Sequence, residues 1–139
     1  MDFDINYWSV LAAAVAPMIL GALWYSPILF GTIWMKAAGL SPDMAKNMTV
    51  RSMLTLYGGQ LVLALLMAYV LAHFIVLGVA FDFIGGAMIG FWLWLGFVVP
   101  VMGGPLLWEQ KSWKYFAISA GFQLVSLALM GGILAAWPA

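Results

Sequence analysis

Apolar residues run in four long stretches along this chain, and the charged residues fall between those stretches or at their ends. The stretches cover residues 7–30, 54–77, 81–102 and 115–137. A helix needs about 20 mostly apolar residues to cross a hydrocarbon core, where each backbone polar group must be bonded within its own segment. The pattern therefore predicts an all-α integral membrane protein, a four-helix transmembrane bundle in a single domain. Leu77-Gly78-Val79-Ala80 is a tight turn between the second and third stretches. Residues 31–53 and 103–114 form the two connections at the other end. Gly103-Gly104-Pro105 predicts a sharp end to the third helix, because Pro cannot continue a helix and Gly favours its exit. In the longer connection, Ser41-Pro42-Asp43 reads as a helix start: a cap, a Pro at the first position and an acid near the positive helix end. That helix is expected to run on from Ala45 to Ser52 along the membrane surface. Met44 and Met48 would face lipid, and Lys46 and Arg51 the headgroups. An ordinary solvated connector is the alternative.

Charge gives the bundle a direction. All five cationic side chains lie in the two longer connections: Lys36, Lys46 and Arg51 in one, Lys111 and Lys114 in the other. Asp2, Asp4 and Asp82 occupy the opposite segments, which hold no Lys or Arg. Loops rich in Lys and Arg stay in the cytoplasm, so both termini are expected outside. Tyr7, Trp8 and Trp137 mark one headgroup layer, and Trp24, Tyr25, Trp34, Trp108, Trp113 and Tyr115 mark the other. Trp92 and Trp94 fall inside the third stretch and need another explanation.

Composition excludes several classes. With 66% hydrophobic and 7% charged residues and a mean hydropathy of +1.08, the chain departs far from a soluble domain, which is about a quarter charged. Zero net charge without a basic cluster implies no nucleic-acid partner. The absence of cysteine removes disulfides and thiolate chemistry. The acidic Met1-Asp2-Phe3-Asp4 start is unlike a signal peptide, so the first stretch is expected to be a retained span.

The second and fourth stretches echo each other. Gly58-Gly59-Gln60-Leu61-Val62 matches Gly121-Phe122-Gln123-Leu124-Val125, and without a gap Leu66-Met67 matches Leu129-Met130 and Leu71-Ala72 matches Leu134-Ala135. Pro27-Ile28-Leu29-Phe30 with Lys36 is likewise echoed by Pro105-Leu106-Leu107-Trp108 with Lys114. Two parallel-repeat helical hairpins, related by an axis along the membrane normal, would produce this. Transporters built from such repeats carry their sites near the repeat interface, although a plain bundle has the same pattern.

Few polar groups lie within the stretches. Gln60 and Gln123 hold equivalent places, and their amides cannot be satisfied by hydrocarbon. Interhelical glue is the structural reading, and a pair that orients a ligand is the functional one. His73 lies about a turn from the end of its stretch, within reach of Asp82. An interfacial, hydrogen-bonded His is the plain reading; as a metal, haem or chlorophyll ligand a single His would need pairing between copies or a cofactor with its own ring nitrogens. No metal and no other cofactor is predicted beyond lipid. Gly86 and Gly90 put small residues on one helix face. Ala12 and Ala16, and Ala117 with Gly121, offer similar faces for packing within the chain or between copies. Glu109 beside Lys111 reads as a surface ion pair. No hydrolase, P-loop or zinc signature occurs, so an enzyme is not expected.

Trp24-Tyr25-Ser26-Pro27, followed by Phe30-Gly31 and Trp34, resembles the N-terminal signature of a bacterial membrane family catalogued as domain of unknown function 1761. Trp94-Leu95-Gly96-Phe97, Pro100, Trp108-Glu109, Trp113-Lys114, Gly121 and Met130-Gly131 extend the resemblance over nearly the whole chain. Gly104 stands where that family often has Asn. The resemblance implies a four-helix protein of the bacterial cytoplasmic membrane and carries no activity. Three functions follow, in this order: an interaction or structural subunit that self-associates or joins a larger membrane complex; a carrier or channel for a small or lipophilic solute; and a pigment- or haem-binding subunit using His73, Trp92 and Trp94.

Overall fold

Each spanning helix begins where a short polar side chain accepts a hydrogen bond from the first turn, which satisfies a donor that has no partner inside the helix. Asn6 caps α1 (Tyr7–Trp24) through the Trp8 amide at 2.9 Å. Thr49 caps α3 (Val50–Leu77) through Ser52 at 3.1 Å. Asp82 caps α4 (Phe83–Trp108) through Gly85 at 2.9 Å. Ser112 caps α5 (Trp113–Ala136) through Tyr115 at 3.1 Å. These four helices are long and apolar enough to cross a membrane. A fifth, α2 (Gly31–Ala38), lies in the connection after α1 and ends at Gly39, whose φ of 74° is the left-handed exit that glycine adopts without strain. The computed structural model describes residues 3–41, 43 and 46–138. The readings placed on Asp2, Pro42, Met44 and Ala45 lie outside these.

Several expected boundaries move, each for a local reason. The helix start expected at Ser41 is present, with Ser41 Oγ accepting from the Asp43 N–H at 3.3 Å and the Asn47 N–H bonding back to the Asp43 carbonyl at 3.1 Å. It does not run on to Ser52: the chain turns at Asn47, and Met48 and Thr49 lead into the cap of α3. The first span ends at Trp24 rather than Phe30, because Pro27 disfavours helical geometry at Ser26 and the chain turns a corner there. The third span does not stop at Gly103-Gly104-Pro105 but runs to Trp108. Pro105 removes only one helical hydrogen bond, whereas ending the helix inside lipid would strand several carbonyls. The chain leaves that helix at Glu109-Gln110, with Gln110 at φ 53°.

Within α4, residues Trp94–Val98 form a π-helical turn in which the Val99 amide bonds back to the Trp94 carbonyl. Pro100 follows directly. Its nitrogen has no hydrogen to donate and its ring crowds the carbonyl four residues back. A wider turn absorbs that mismatch without breaking the span.

Helix α5 is the centre of the bundle. Half of its spanning window is buried, against 28% for α1 and α3 and 11% for α4. Against α4 the contact is backbone to backbone: a Cβ on Gly86 or Gly131 would overlap the other's main chain, and one on Gly90 would overlap Leu127. The glycines expected to pack helices therefore do so within the chain. On the other side Val10, Ala13 and Ala14 of α1 meet Ala64, Ala68, Leu71 and Ala72 of α3, with Leu127 and Met130 of α5 completing the core. It is Ala13 and Ala14, fully buried, that make the close approach expected of Ala12 and Ala16. These contacts gather towards the end of the bundle that holds both termini. Towards the end that carries the Lys and Arg residues, called here the basic end, every residue of α3 from 50 to 60 is exposed.

The 78–80 turn places its left-handed residue unexpectedly. Gly78 is ordinary in backbone angle, and Val79 takes φ 54°. A Cβ on Gly78 would meet the tip of the Ile89 side chain at 2.6 Å, which would have to shift.

Two outcomes follow for unfolding measured by detergent titration. Gly86→Val and Gly131→Val should each lower stability by about 1–3 kcal/mol, the usual cost of overpacking, whereas Gly96→Ala, which has open space at its Cβ, should change it little. Val79→Gly should raise stability by about 1 kcal/mol by relieving the left-handed strain of a β-branched residue.

Candidate functional site

The segment from Trp24 to Trp34 forms a rigid corner. Phe30 N–H donates to the Trp24 carbonyl at 3.0 Å and Gly31 N–H to the Ser26 carbonyl at 2.9 Å, while the Ser26 hydroxyl donates to the Leu23 carbonyl at 2.6 Å. Pro27 sits inside this turn as its pivot. Gly31 has no alternative: a Cβ would overlap the Tyr25 carbonyl and crowd Ser26 at 2.8 Å.

This corner directs indoles at one turn of α5. Trp24 Nε1–H donates to the Ile118 carbonyl at 3.1 Å, and Trp34 Nε1–H donates to Ser119 Oγ at 3.3 Å. From the opposite side Trp94, at the start of the π turn, donates to the Ala120 carbonyl at 2.8 Å. Three consecutive residues of α5 thus take an indole each. A Cβ on Gly121 would lie 3.4 Å from the Trp24 ring, an ordinary contact, so the packing expected of that glycine does not require glycine. Trp24 and Trp34 were expected to be headgroup anchors, and Trp94 a member of the pigment- or haem-binding set. The available signal was chemical: an indole N–H set into hydrocarbon must find an acceptor. Trp92, in contrast, is largely exposed.

Behind the corner lies a cleft between α1, α3 and α5, in two adjoining chambers of about 500 and 480 Å³. Both Gln60 and Gln123 line the waist the chambers share, together with Pro17, Met18 and Phe122. One chamber continues among Leu63, Leu66, Met67 and Val70 of α3 and reaches Ser126. The other continues towards the basic end among Tyr25, Trp34 and Tyr57. Its wall is aromatic: the Tyr25 ring meets Trp34 edge-on with centroids 5.1 Å apart and lies 5.2 Å from Phe122. Tyr25 lies just beyond the end of α1, and burial raises its phenol above the usual tyrosine value against the opposing effect of the Ser119 hydroxyl.

The lining holds no Asp, Glu, Lys, Arg or His. Neither glutamine amide takes part in any side-chain hydrogen bond among the described residues. The Ser126 hydroxyl, 1% exposed, is the buried side-chain polar atom left without a partner there.

His73 lies elsewhere. Its Nδ1 is 2.8 Å from the Tyr69 carbonyl and so carries the hydrogen, and its ring stands edge-on to Phe3 and Tyr69. The expected meeting with Asp82 is not made, because that carboxylate caps α4. No cluster of three potential metal-ligating side chains occurs among the described residues. Near the basic end Lys111 places its ammonium 5.8 Å from the centre of the Tyr115 ring, a cation–π geometry, rather than on Glu109.

Trp34→Phe keeps the ring and removes the bond to Ser119, so it should cost about 0.6 kcal/mol, as intramembrane hydrogen bonds do. Gly31→Ala should cost more than that, since main chain and not a side chain stands in its way. Unfolding in detergent compares the two directly, and an order reversed from this one would show that the corner yields easily.

No curated protein and no solved structure matches the chain. A family model described as "Protein of unknown function (DUF1761)" matches residues 8–135. That match takes in the corner, the three indoles and both glutamines, and by it the chain belongs to the DUF1761 family.

Proposed function

We propose that this protein binds a small or lipophilic solute in the cleft between α1, α3 and α5 and carries it in the bacterial cytoplasmic membrane. One observation carries the reading: two primary amides from matching sequence positions line the same cleft, and neither has a protein partner. Leaving such a group unpaired in hydrocarbon costs several kcal/mol, so a ligand or water that fills the cleft gains what the protein leaves unsatisfied. The reading of the protein as a docking subunit drew on few intramembrane ionisable groups, short loops and small-residue faces, and of those faces the Gly86–Gly90 one is covered by α5. The pigment reading rested on His73 and Trp92, which lie apart from the cleft, and on Trp94, whose indole is bonded to α5.

In this proposal the basic end faces the cytoplasm, by the one-sided placement of the five cations, and both termini face outward. The aromatic chamber then opens towards the cytoplasmic leaflet. The corner holds α1 and α2 against α5, and the basic-end part of α3, free of neighbours, is the wall able to move.

Purification from native membranes in mild detergent, followed by mass spectrometry of retained small molecules, tests the binding. A molecule retained by the native chain and by Trp137→Leu, but lost from Gln60→Leu/Gln123→Leu of unchanged helicity, is the expected result; equal retention by the double variant would remove the proposal. Orientation is tested separately. Because the chain has no cysteine, Asp4→Cys and Lys46→Cys give single thiols, and an impermeant reagent on intact cells should label the first and spare the second.

A further inference from the structure

We infer that the ligand of this cleft is an uncharged lipid whose head carries ester or hydroxyl groups and whose chains lie along α3. This rests on the solute-binding reading above and narrows it to one chemistry and one source.

The narrowing starts from charge. A chamber at membrane depth without any Asp, Glu, Lys, Arg or His in its lining has nothing to offset the desolvation of an ion, so a charged head is disfavoured there. Polar groups are nevertheless present at one level. Gln60 and Gln123 supply N–H donors and carbonyl acceptors together, which matches a head with both ester oxygens and a hydroxyl. Beyond them the Leu63, Leu66, Met67 and Val70 side of the first chamber is aliphatic. An apolar body with a few polar groups at one level is the pattern of an amphiphile, not of a small hydrophilic solute.

Depth identifies the source. Residues 63–70 lie about 20–30 Å along α3 from its start at Val50, at 1.5 Å per residue, well inside the hydrocarbon region. Leu63, Leu66 and Val70 are exposed there, so the chamber communicates with the bilayer at that level. A bilayer lipid reaches it sideways without crossing water.

Ser126 fits the same picture. Its hydroxyl faces no protein partner, yet it lies on α5 three residues beyond Gln123, one turn deeper on the same helix side. With the cleft filled, it stands behind the amide pair as a further donor for the head.

The test is equilibrium binding to the purified full chain in detergent micelles, with three radiolabelled probes: 1,2-dioctanoylglycerol, octanoate at pH 8, and acetamide. Saturable dioctanoylglycerol binding near one per chain is expected, with octanoate at least about tenfold weaker. Gln60→Leu/Gln123→Leu should weaken dioctanoylglycerol by about tenfold, the equivalent of two membrane hydrogen bonds. Circular dichroism confirms that this variant remains folded. Octanoate binding as tight as dioctanoylglycerol would overturn the uncharged-lipid assignment. Acetamide binding without dioctanoylglycerol binding would also overturn it, while leaving the broader solute-binding reading intact. If no probe binds and native preparations retain no small molecule, both fall together.

Discussion

In hydrocarbon an N–H or carbonyl without a partner has no water to turn to, and the shape of this protein is arranged around that constraint. The decisive instance is the single turn of α5 at Ile118, Ser119 and Ala120, which receives the indole hydrogens of Trp24, Trp34 and Trp94. Each indole comes from a different structural setting: the end of α1, the connecting helix α2, and the π turn of α4. Those bonds fix three elements on one axis at the basic end, where side-chain packing is sparse. At the opposite end the same helix is held by glycine contact with α4 and by the alanine-rich core with α1 and α3. Helix α5 is therefore tied by hydrogen bonds at one end and by close packing at the other.

The helix count and the apolar extents could be read directly, because a span must be both long and uniformly apolar. The starts of the spans were also written in the chain. Asn6, Thr49, Asp82 and Ser112 are all good caps, but hydropathy alone does not register them, and Val50–Ser52 are expected from it in a surface helix rather than in the span. The stops were harder. Ser26-Pro27 and Gly104-Pro105 look alike in sequence, yet the first makes a corner and the second stays inside a helix. What separates them is tertiary. The Trp24–Gly31 corner is braced by indoles against α5, whereas Gly103 and Gly104 meet nothing that would hold a turn. The use of the Gly86–Gly90 face inside the chain was equally invisible, since spacing alone does not say which helix lies opposite.

The matching sequence of the two halves places Gln60 and Gln123 on one cleft, but the halves do not behave alike. Helix α1 lies along α5 closely, while α3 and α4, the reciprocal pair, scarcely touch. The connection of the first half contains α2 and its corner; that of the second is reduced to residues 109–112. The consequence is physical: at the basic end α5 is braced by the corner and indoles, whereas α3 is held only towards the other end, through the alanine core it shares with α1. An apolar groove among Met67, Val70, Phe74, Phe97 and Val98 separates α3 from the π turn, so α3 is flanked by open space on both sides.

That asymmetry locates the polar waist where an opening is cheapest. Gln123 is carried by the helix that everything else grips, and Gln60 by the helix with the fewest neighbours on its basic-end side. A pair of amides intended only as glue would be expected to bond to each other and draw α3 in. Instead they stand apart across a cleft, one on the fixed wall and one on the free wall. A movement of the basic-end part of α3 towards α5 would change the separation of the amides while leaving the corner, the glycine contact and the alanine core in place. A stable frame and one exposed wall, the two features that the proposed uptake and release of a molecule would require, are thus divided between α5 and the basic-end part of α3.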